Sequence, residues 1–356
     1  MAKIGISRPN PEGVCVCVDI VTHMNYQNLI SVESIFQAWG EFRKGKGKRR
    51  DVQEFERYLE DNLFELHERL KSKTYKHGAY ESFYIREPKR RHIHKAQVAD
   101  RVLHHLLYRF LYGLFDKTFV YDSYSCRLEK GTHRAVTRLE NFTRAVSKNY
   151  AKPCWVLKCD ARKFFATIDH RILLEILERK ISDKDIRWLL SEVIYSFNSE
   201  FGTGKGIPLG NLTSQVFANV YLNELDKFVK HGLKEKYYIR YCDDFIILSQ
   251  DQCYLFQCID SLEQFVGGRL QLGLHPKKVT IRKLRQGIDF LGYVVLPHHN
   301  LPRTKTKRRI FKNLKPQAKA PNFNASFQSY LGYLEHANAF SLTQQLKNEI
   351  WIWQNR

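Results

Sequence analysis

Two short apolar runs, Tyr237-Tyr-Ile-Arg-Tyr241 and Phe245-Ile-Ile-Leu248, flank Cys242-Asp-Asp244. Runs rich in aromatic and β-branched residues read as strands, and so tight a connection makes them a hairpin with carboxylates at its tip. An earlier run, Cys154-Trp-Val-Leu-Lys-Cys159, is also a strand and ends at Asp160. A helical pattern over Asn211–Val229 lies between them, and another over about Gln252–Gly267 comes after the hairpin. Short strands are then expected near Val279 and Phe290. Strand, helix, hairpin, helix and strand between residues 154 and 294 suit a ferredoxin-like α+β domain.

The flanking segments are more helical. The basic stretch Arg43-Lys-Gly-Lys-Gly-Lys-Arg-Arg50 reads as a solvated loop, with Asp51 placed to cap the next helix. Phe55, Tyr58, Leu59, Leu63, Leu66 and Leu70 then recur at helical spacing. A strand at Phe83-Tyr-Ile85 and a strand-like segment after the basic turn Pro88-Lys-Arg-Arg91 are followed by helices near Val98–Phe115 and Thr132–Lys148. Helical patterns recur at His170–Arg179 and Asp183–Tyr195. The last sixty or so residues hold few acids and many Lys, Arg and aromatics, and end in helices. Phe323, Phe327, Tyr330 and Tyr333 there form a helix face suited to core packing.

Charge points to a partner. Lys and Arg number 58 against 37 Asp and Glu, a net +21, which favours a polyanion. None of the eight cysteines forms a C-x-x-C pair, so no zinc ribbon or knuckle is visible, and reduced, mostly buried thiols of a cytoplasmic protein are expected. The apolar stretch Val14–Val21 is too short to span a membrane and contains Asp19; no signal-peptide cleavage pattern accompanies it.

The acids carry the chemistry. Extending a nucleic acid means attacking an α-phosphate with a 3′ hydroxyl, which two divalent cations can assist. Mg²⁺ takes carboxylate oxygens and keeps water and phosphate in its other positions. A ferredoxin-like sheet can bring Asp160 beside Asp243 and Asp244, although Asp is also a common turn former. Asp169, in Thr167-Ile-Asp-His170, reads as a helix-start acid rather than a ligand. Gly202-Thr-Gly-Lys-Gly206 lacks the spacing of a phosphate loop. His92, His94, His104 and His105 lack a convincing partner set for a metal.

Tyr241-Cys-Asp-Asp244 resembles the Y-x-D-D box of reverse transcriptases, and Lys158-Cys-Asp-Ala-Arg-Lys-Phe-Phe165 resembles the box that precedes it in that family. The resemblance runs from about residue 35 to 300. It implies a right-hand polymerase with fingers and an N-terminal segment over 1–150, a ferredoxin-like palm over 151–300 and a short helical thumb over 301–356. It implies that Asp160, Asp243 and Asp244 are catalytic and hold two Mg²⁺ ions (Mn²⁺ being possible), with the Ala161 carbonyl as a further ligand. Phe165 would be the steric gate that excludes a 2′ hydroxyl. Lys89 and Arg91, in a stretch like the fingers strands, would hold the incoming triphosphate, with Arg127 of Ser125-Cys-Arg-Leu-Glu-Lys-Gly131 as a template or nucleotide contact. Lys278, in Leu274-His-Pro-Lys-Lys278, would act near the pyrophosphate. Phe290-Leu-Gly-Tyr293 resembles the primer grip, giving Phe290, Leu291 and Gly292 as primer contacts. Arg303-Thr-Lys-Thr-Lys-Arg-Arg309 would meet the duplex.

The stretch Ile207-Pro-Leu-Gly-Asn-Leu-Thr-Ser-Gln215 narrows the resemblance. Most reverse transcriptases have Q-G-x-x-x-S-P there; Leu209 and Gln215 resemble the diversity-generating retroelement type. Leu209, Gly210 and Gln215 would line the nucleotide site, and Leu209 cannot hydrogen-bond as Gln would. The resemblance then implies a low-fidelity enzyme that errs opposite template adenines, using a structured template RNA, deoxynucleotides, an RNA–cDNA duplex and a small basic accessory protein. No room is expected after the thumb for an RNase H or endonuclease domain. A group II intron- or retron-type enzyme and a non-catalytic RNA-binding scaffold remain open.

Overall fold

The computed structural model describes residues 25–86 and 89–355. The Val14–Val21 stretch, Cys15, Cys17 and Pro88 lie outside the described residues. The chain divides into two compact units, each built from several segments.

The first unit takes the chain through Tyr121, Ala161–Phe228 and Gln264–Gly273. It is mainly helical, with Val32–Arg43, Val98–Phe115, Lys184–Tyr195 and Leu212–Lys227 among its longer helices. Val98–Phe115 forms because Val102, Leu103, Leu106, Leu107, Phe110 and Leu111 recur at helical spacing, and all six are buried. Two expectations need correction. Asp51 is not a cap: it sits in the first turn of Arg50–Glu56, where Lys95 and Arg101 pair with it. The Phe55–Leu70 pattern is two helices, Arg50–Glu56 and Leu59–Lys71, and Tyr58 at the break is 66% exposed. A hairpin of β1 (Glu81–Ile85) and β2 (Arg91–Lys95) completes the unit, with Glu81 opposite Lys95 and every β1 residue exposed.

The second unit takes Asp122–Asp160, Val229–Glu263 and Leu274 onward. Its main sheet contains β3 (Trp155–Asp160), β4 (Tyr238–Tyr241), β5 (Asp244–Ser249) and β6 (Thr280–Lys283). The order is β4-β5-β3-β6, antiparallel throughout, which is the ferredoxin-like order. Alternation puts Val156, Ile246 and Leu248 on one face. There they pack with Ala135, Leu139 and Phe142 of the helix Thr132–Val146 and with a second sheet of β7 (Ile288–Phe290), β8 (Tyr293–Leu296) and β9 (His299–Pro302). The C-terminal helices Thr304–Leu314, Phe323–Leu334 and Phe340–Asn355 close a separate core around Ile310, Leu314, Tyr330, Leu334 and Leu346.

The helix from Gln252 continues to Leu270, through Gly267 and Gly268, where the glycines suggested an end. A helical glycine costs about 1 kcal/mol, less than burying Val266 and Leu270, each 1% exposed, returns. Of the described cysteines, Cys154, Cys159 and Cys258 are buried, Cys126 and Cys242 partly so, and Cys253 is exposed. Burial pushes the Cys154 thiol up to about 12. Among the described residues no helix is long and apolar enough to cross a membrane.

Candidate active site

The site in the second unit is a consequence of strand register. Asp160, the last residue of β3, lies opposite Asp244, the first of β5. Tyr241 pairs with Asp244 across the hairpin, leaving Cys242 and Asp243 as the two-residue tip. Cys242 takes the left-handed conformation at φ +56°, a strained place for a residue with a Cβ. Arg240, fully buried, supports the turn from below: its guanidinium donates to the Cys242 carbonyl at 3.1 Å and to the Ser123 hydroxyl at 2.9 Å. The Arg240 backbone also bonds both ways with the 122–124 segment, to Asp122 O and from Tyr124 N.

The three carboxylates act on one another. Burial first, then the Asp160 charge, raises Asp243 above the usual carboxylate range. Burial also raises Asp244, to about 6, with the charges of Asp160 and Asp243 and a hydrogen bond to Asp160 adding to it, while Lys158 opposes. This is crowded negative potential, the condition a divalent cation relieves. Two lysines already answer part of it. Lys278 donates to Asp160 Oδ1 at 2.6 Å, and Lys158 Nζ lies 3.8 Å from Asp244 while donating to the Asp289 carbonyl at 2.8 Å. The Asp160 carbonyl accepts from His275 N at 2.8 Å, which ties the segment carrying Lys278 to the end of β3.

Among the described residues no three His, Cys, Asp or Glu side chains form a ready-made metal cage. That does not conflict with the donor set, because Mg²⁺ is held by one or two carboxylates plus water and phosphate rather than by an all-protein cage. Hard carboxylate oxygens, on a buried Asp160 and half-buried Asp243 and Asp244, that repel one another fit such an ion.

Other candidate residues of this unit sit nearby in sequence order. Arg127 is half-buried and donates to the Ser123 carbonyl at 3.1 Å, so its loop shares Ser123 with Arg240. Phe290 is fully buried in the core beneath the second sheet. Leu291 and Gly292 form the β7–β8 turn at φ +51° and +95°, and the Gly292 carbonyl accepts from Arg303 N and the Tyr333 hydroxyl. A primer could meet the turn but not the Phe290 ring.

The first unit gathers a second group. Phe164 is buried while Phe165, its neighbour on the short helix Phe164–Thr167, is only half so. The Phe165 carbonyl accepts from Ile207 N at 2.7 Å, and the Leu209 carbonyl from His94 N at 2.8 Å. Asn211 bonds the backbone on both sides of Lys95, to His94 O and from Ala96 N. Gly210 sits at φ +117° with no room for a side chain: a Cβ would lie 2.8 Å from Ile93 Cγ2. Leu209 and Gly210 are thus held against β2, whose first residue is Arg91, and Phe165 is tied to Ile207, two residues before Leu209. Lys89 and Arg91 are exposed, Gln215 is half-buried in the first turn of Leu212–Lys227, and Ala161, next in chain to Asp160, is buried. Asp169 caps His170–Glu178 by accepting from Ile172 N, as the sequence suggested.

Sequence reading missed Lys158, Arg240 and Asn211. Lys158 carried a usable signal, since two positions before Asp160 in a strand is the same face. Arg240 carried a weaker one, a lone cation inside an apolar strand.

Residues 76–295, more than half of the chain, match the family described as Reverse transcriptase (RNA-dependent DNA polymerase). Protein YkfC of Escherichia coli is 25% identical over 65% of this chain and 69% of its own length. The group II intron-encoded protein LtrA of Lactococcus lactis is 23% identical over 66% of this chain and half of its own. Among solved structures, telomerase from Candida albicans, in complex with a fragment of telomeric RNA, is similar with a TM-score of 0.52 and 10% identity. That match covers 85% of this chain and 59% of that one, and it bears on fold alone. The α+β architecture is that of the right-hand polymerases. The chain belongs to the reverse transcriptase family, whose enzymes are RNA-directed DNA polymerases, and it is classed with them.

Proposed function

We propose that this chain makes cDNA on a structured template RNA by two-metal nucleotidyl transfer, as the low-fidelity polymerase of a diversity-generating retroelement. The observation that carries the catalytic reading is the register of Asp160 opposite Asp244, with Asp243 next to Asp244 at the tip of the β4–β5 hairpin. Asp160 and Asp243 would hold both Mg²⁺ ions, with Asp244 and the Ala161 carbonyl assisting. Bound there, the ions would make the 3′ hydroxyl a better nucleophile and stabilise charge on the phosphate. The chain's own residues do the rest. Lys89 and Arg91 bind the triphosphate through charge-assisted hydrogen bonds. Phe165 fills the space of a 2′ hydroxyl. Lys278, already within hydrogen-bond reach of Asp160, is placed to give up a proton to the departing pyrophosphate. The β7–β8 turn and Arg127 position primer and template. The first 150 residues serve as fingers and N-terminal segment, 151–300 as palm and the remainder as thumb, with a basic accessory protein and the template RNA as partners.

The diversifying role rests on Leu209 and Gln215. An apolar Leu209 leaves the nucleotide without the hydrogen bond a glutamine gives, so correct and incorrect pairs differ less in transition-state energy. The wild-type enzyme is expected to err often opposite template adenine, and Leu209→Gln to err less. An ordinary error rate in the wild type, unchanged by Leu209→Gln, would leave the polymerase and discard the diversifying role. The likeness to LtrA supports a group II intron-type enzyme as the second reading, and accurate cDNA would favour it.

A further inference from the structure

The first unit holds a buried polar cluster that the proposed reaction leaves unused. His77 and Tyr80 come from the segment after Leu59–Lys71, and Asp100 and His104 from Val98–Phe115. Ser196 ends Lys184–Tyr195, and Thr213 lies in the first turn of Leu212–Lys227. The His77 side chain and His104 are each 1% exposed. Their Nε2 atoms face one another at 3.2 Å, and the Tyr80 hydroxyl lies 3.2 Å from His77 Nε2. Ile207 and Pro208, just before Leu209, share a cavity of about 10 Å³ with Tyr80, His104 and Thr213.

The donors and acceptors fix where the hydrogens sit. The Gly78 carbonyl only accepts, so His77 carries its hydrogen on Nδ1, 2.7 Å away. Ser196 donates to the Val193 carbonyl at 2.7 Å and therefore takes the Tyr80 hydrogen, also at 2.7 Å. In neutral His77, Nε2 is then a bare lone pair that His104 Nε2 supplies with a hydrogen. His104 Nδ1 in turn accepts from the Thr213 hydroxyl at 2.8 Å. One added proton reverses this chain. The Nε2 hydrogen of His104 passes to His77 Nε2, and the incoming proton ends on His104 Nδ1. Thr213 changes from donor to acceptor. Its own hydrogen, on a residue 1% exposed, then loses a buried acceptor.

The charge so created has a partner. Asp100 Oδ2 lies 3.8 Å from His77 Nδ1, and the carboxylate also accepts from Gly78 N at 3.1 Å and the Tyr75 hydroxyl at 2.6 Å. A Cβ at Gly78 would lie 2.9 Å from Asp100 Oδ2, so glycine lets the carboxylate close in. Burial, then the charges of His77, His105 and Arg101, hold the His104 pKa well below the usual histidine range. Further out stand Arg69, over the Tyr75 ring, and the pair Lys76–Glu192.

We infer that His77 and His104 are positioning residues, a proton-linked clamp on the start of Leu212–Lys227 and on the Leu209–Asn211 turn before it. The neutral cluster holds the turn, and uptake of one proton loosens it. The effect on the nucleotide rests on the reading that Leu209 lines its site; the clamp itself rests on the cluster.

The test is nitrogen NMR of the full chain isotopically labelled at histidine, from about pH 5 to about pH 8, with primer extension over the same range. Side-chain nitrogen shifts distinguish a bare nitrogen from N–H, and His77→Asn and His104→Asn assign the signals. His104 Nδ1 is expected to pass from bare nitrogen to N–H as pH falls. Over that change KM for deoxynucleotides should rise about fivefold more in wild type than in Thr213→Val, with kcat changing alike in both. Thr213→Val should keep the titration and lose its effect on KM, and Thr213→Ser should keep both. One His104 tautomer throughout, or the same KM profile in wild type and Thr213→Val, would overturn the inference. The spectra need no catalysis: absence of cDNA from wild type would overturn the polymerase reading, and the spectra would still decide the clamp.

Discussion

At the scale of single residues, the site is a balance between crowded carboxylates and two lysines. Asp243→Ala should lower cDNA synthesis by at least about a hundredfold, since the proposed two-metal site would lose a ligand outright. Asp244 makes a pH prediction. Its carboxyl is raised to about 6 by burial and by its acidic neighbours. A group that holds its proton more tightly when folded stabilises the fold most at low pH, and that contribution fades as pH rises through the folded value. Metal-free wild type should therefore lose stability relative to Asp244→Asn between about pH 4 and about pH 6. Thermal melts of both proteins in a chelator check the sign; a constant difference across that range would show that Asp244 is not perturbed. Arg240 is the least obvious residue of the group. Arg240→Ala strips the Cys242 carbonyl and Ser123 hydroxyl of a buried partner, and should cost about 2–4 kcal/mol in denaturant unfolding.

At the scale of elements, the sequence was most informative where one periodicity dominates. β4 and β5 are short apolar runs that bracket Cys242-Asp-Asp244, and β3 ends on its acid, so apolar spacing marked the strands and a ferredoxin-like sheet could bring the carboxylates together. Val98–Phe115 was legible for the same reason. Legibility failed where local signals competed with packing. The two glycines near residue 267 implied a helix end, but Val266 and Leu270 are buried on either side of them and the helix runs on. Tyr58 fitted the helical spacing yet sits at a break between helices. Asp51 looked like a cap but serves Lys95 and Arg101, partners far along the chain that no local window reveals. The loop at Gly210 shows the same limit: its need for glycine comes from Ile93 on β2. Gly210→Ala should cost about 2 kcal/mol, since both the backbone conformation and the space are wrong for a Cβ, and should also reduce primer extension by displacing Leu209. An unchanged denaturation midpoint would show that the loop can move away from β2.

At the scale of the whole molecule, the net charge of +21 favours a polyanion partner, which the proposed function takes to be the primed RNA. Binding driven by phosphate neutralisation weakens with salt by a logarithmic slope of about 0.7–0.9 per phosphate contacted. The affinity for primed RNA should fall at least about tenfold between roughly 50 and roughly 200 mM monovalent salt, and a flat response would mean that the cations are not at the interface. The most direct test is extension of a DNA primer on RNA with Mg²⁺, comparing wild type with Asp243→Ala and supplying either deoxynucleotides or ribonucleotides, with the template RNA and accessory protein added in parallel. The account predicts cDNA from deoxynucleotides only, and none from the variant. Product that persists in Asp243→Ala, or no product from wild type with its partners present, would contradict the assignment of RNA-directed DNA synthesis to Asp160, Asp243 and Asp244.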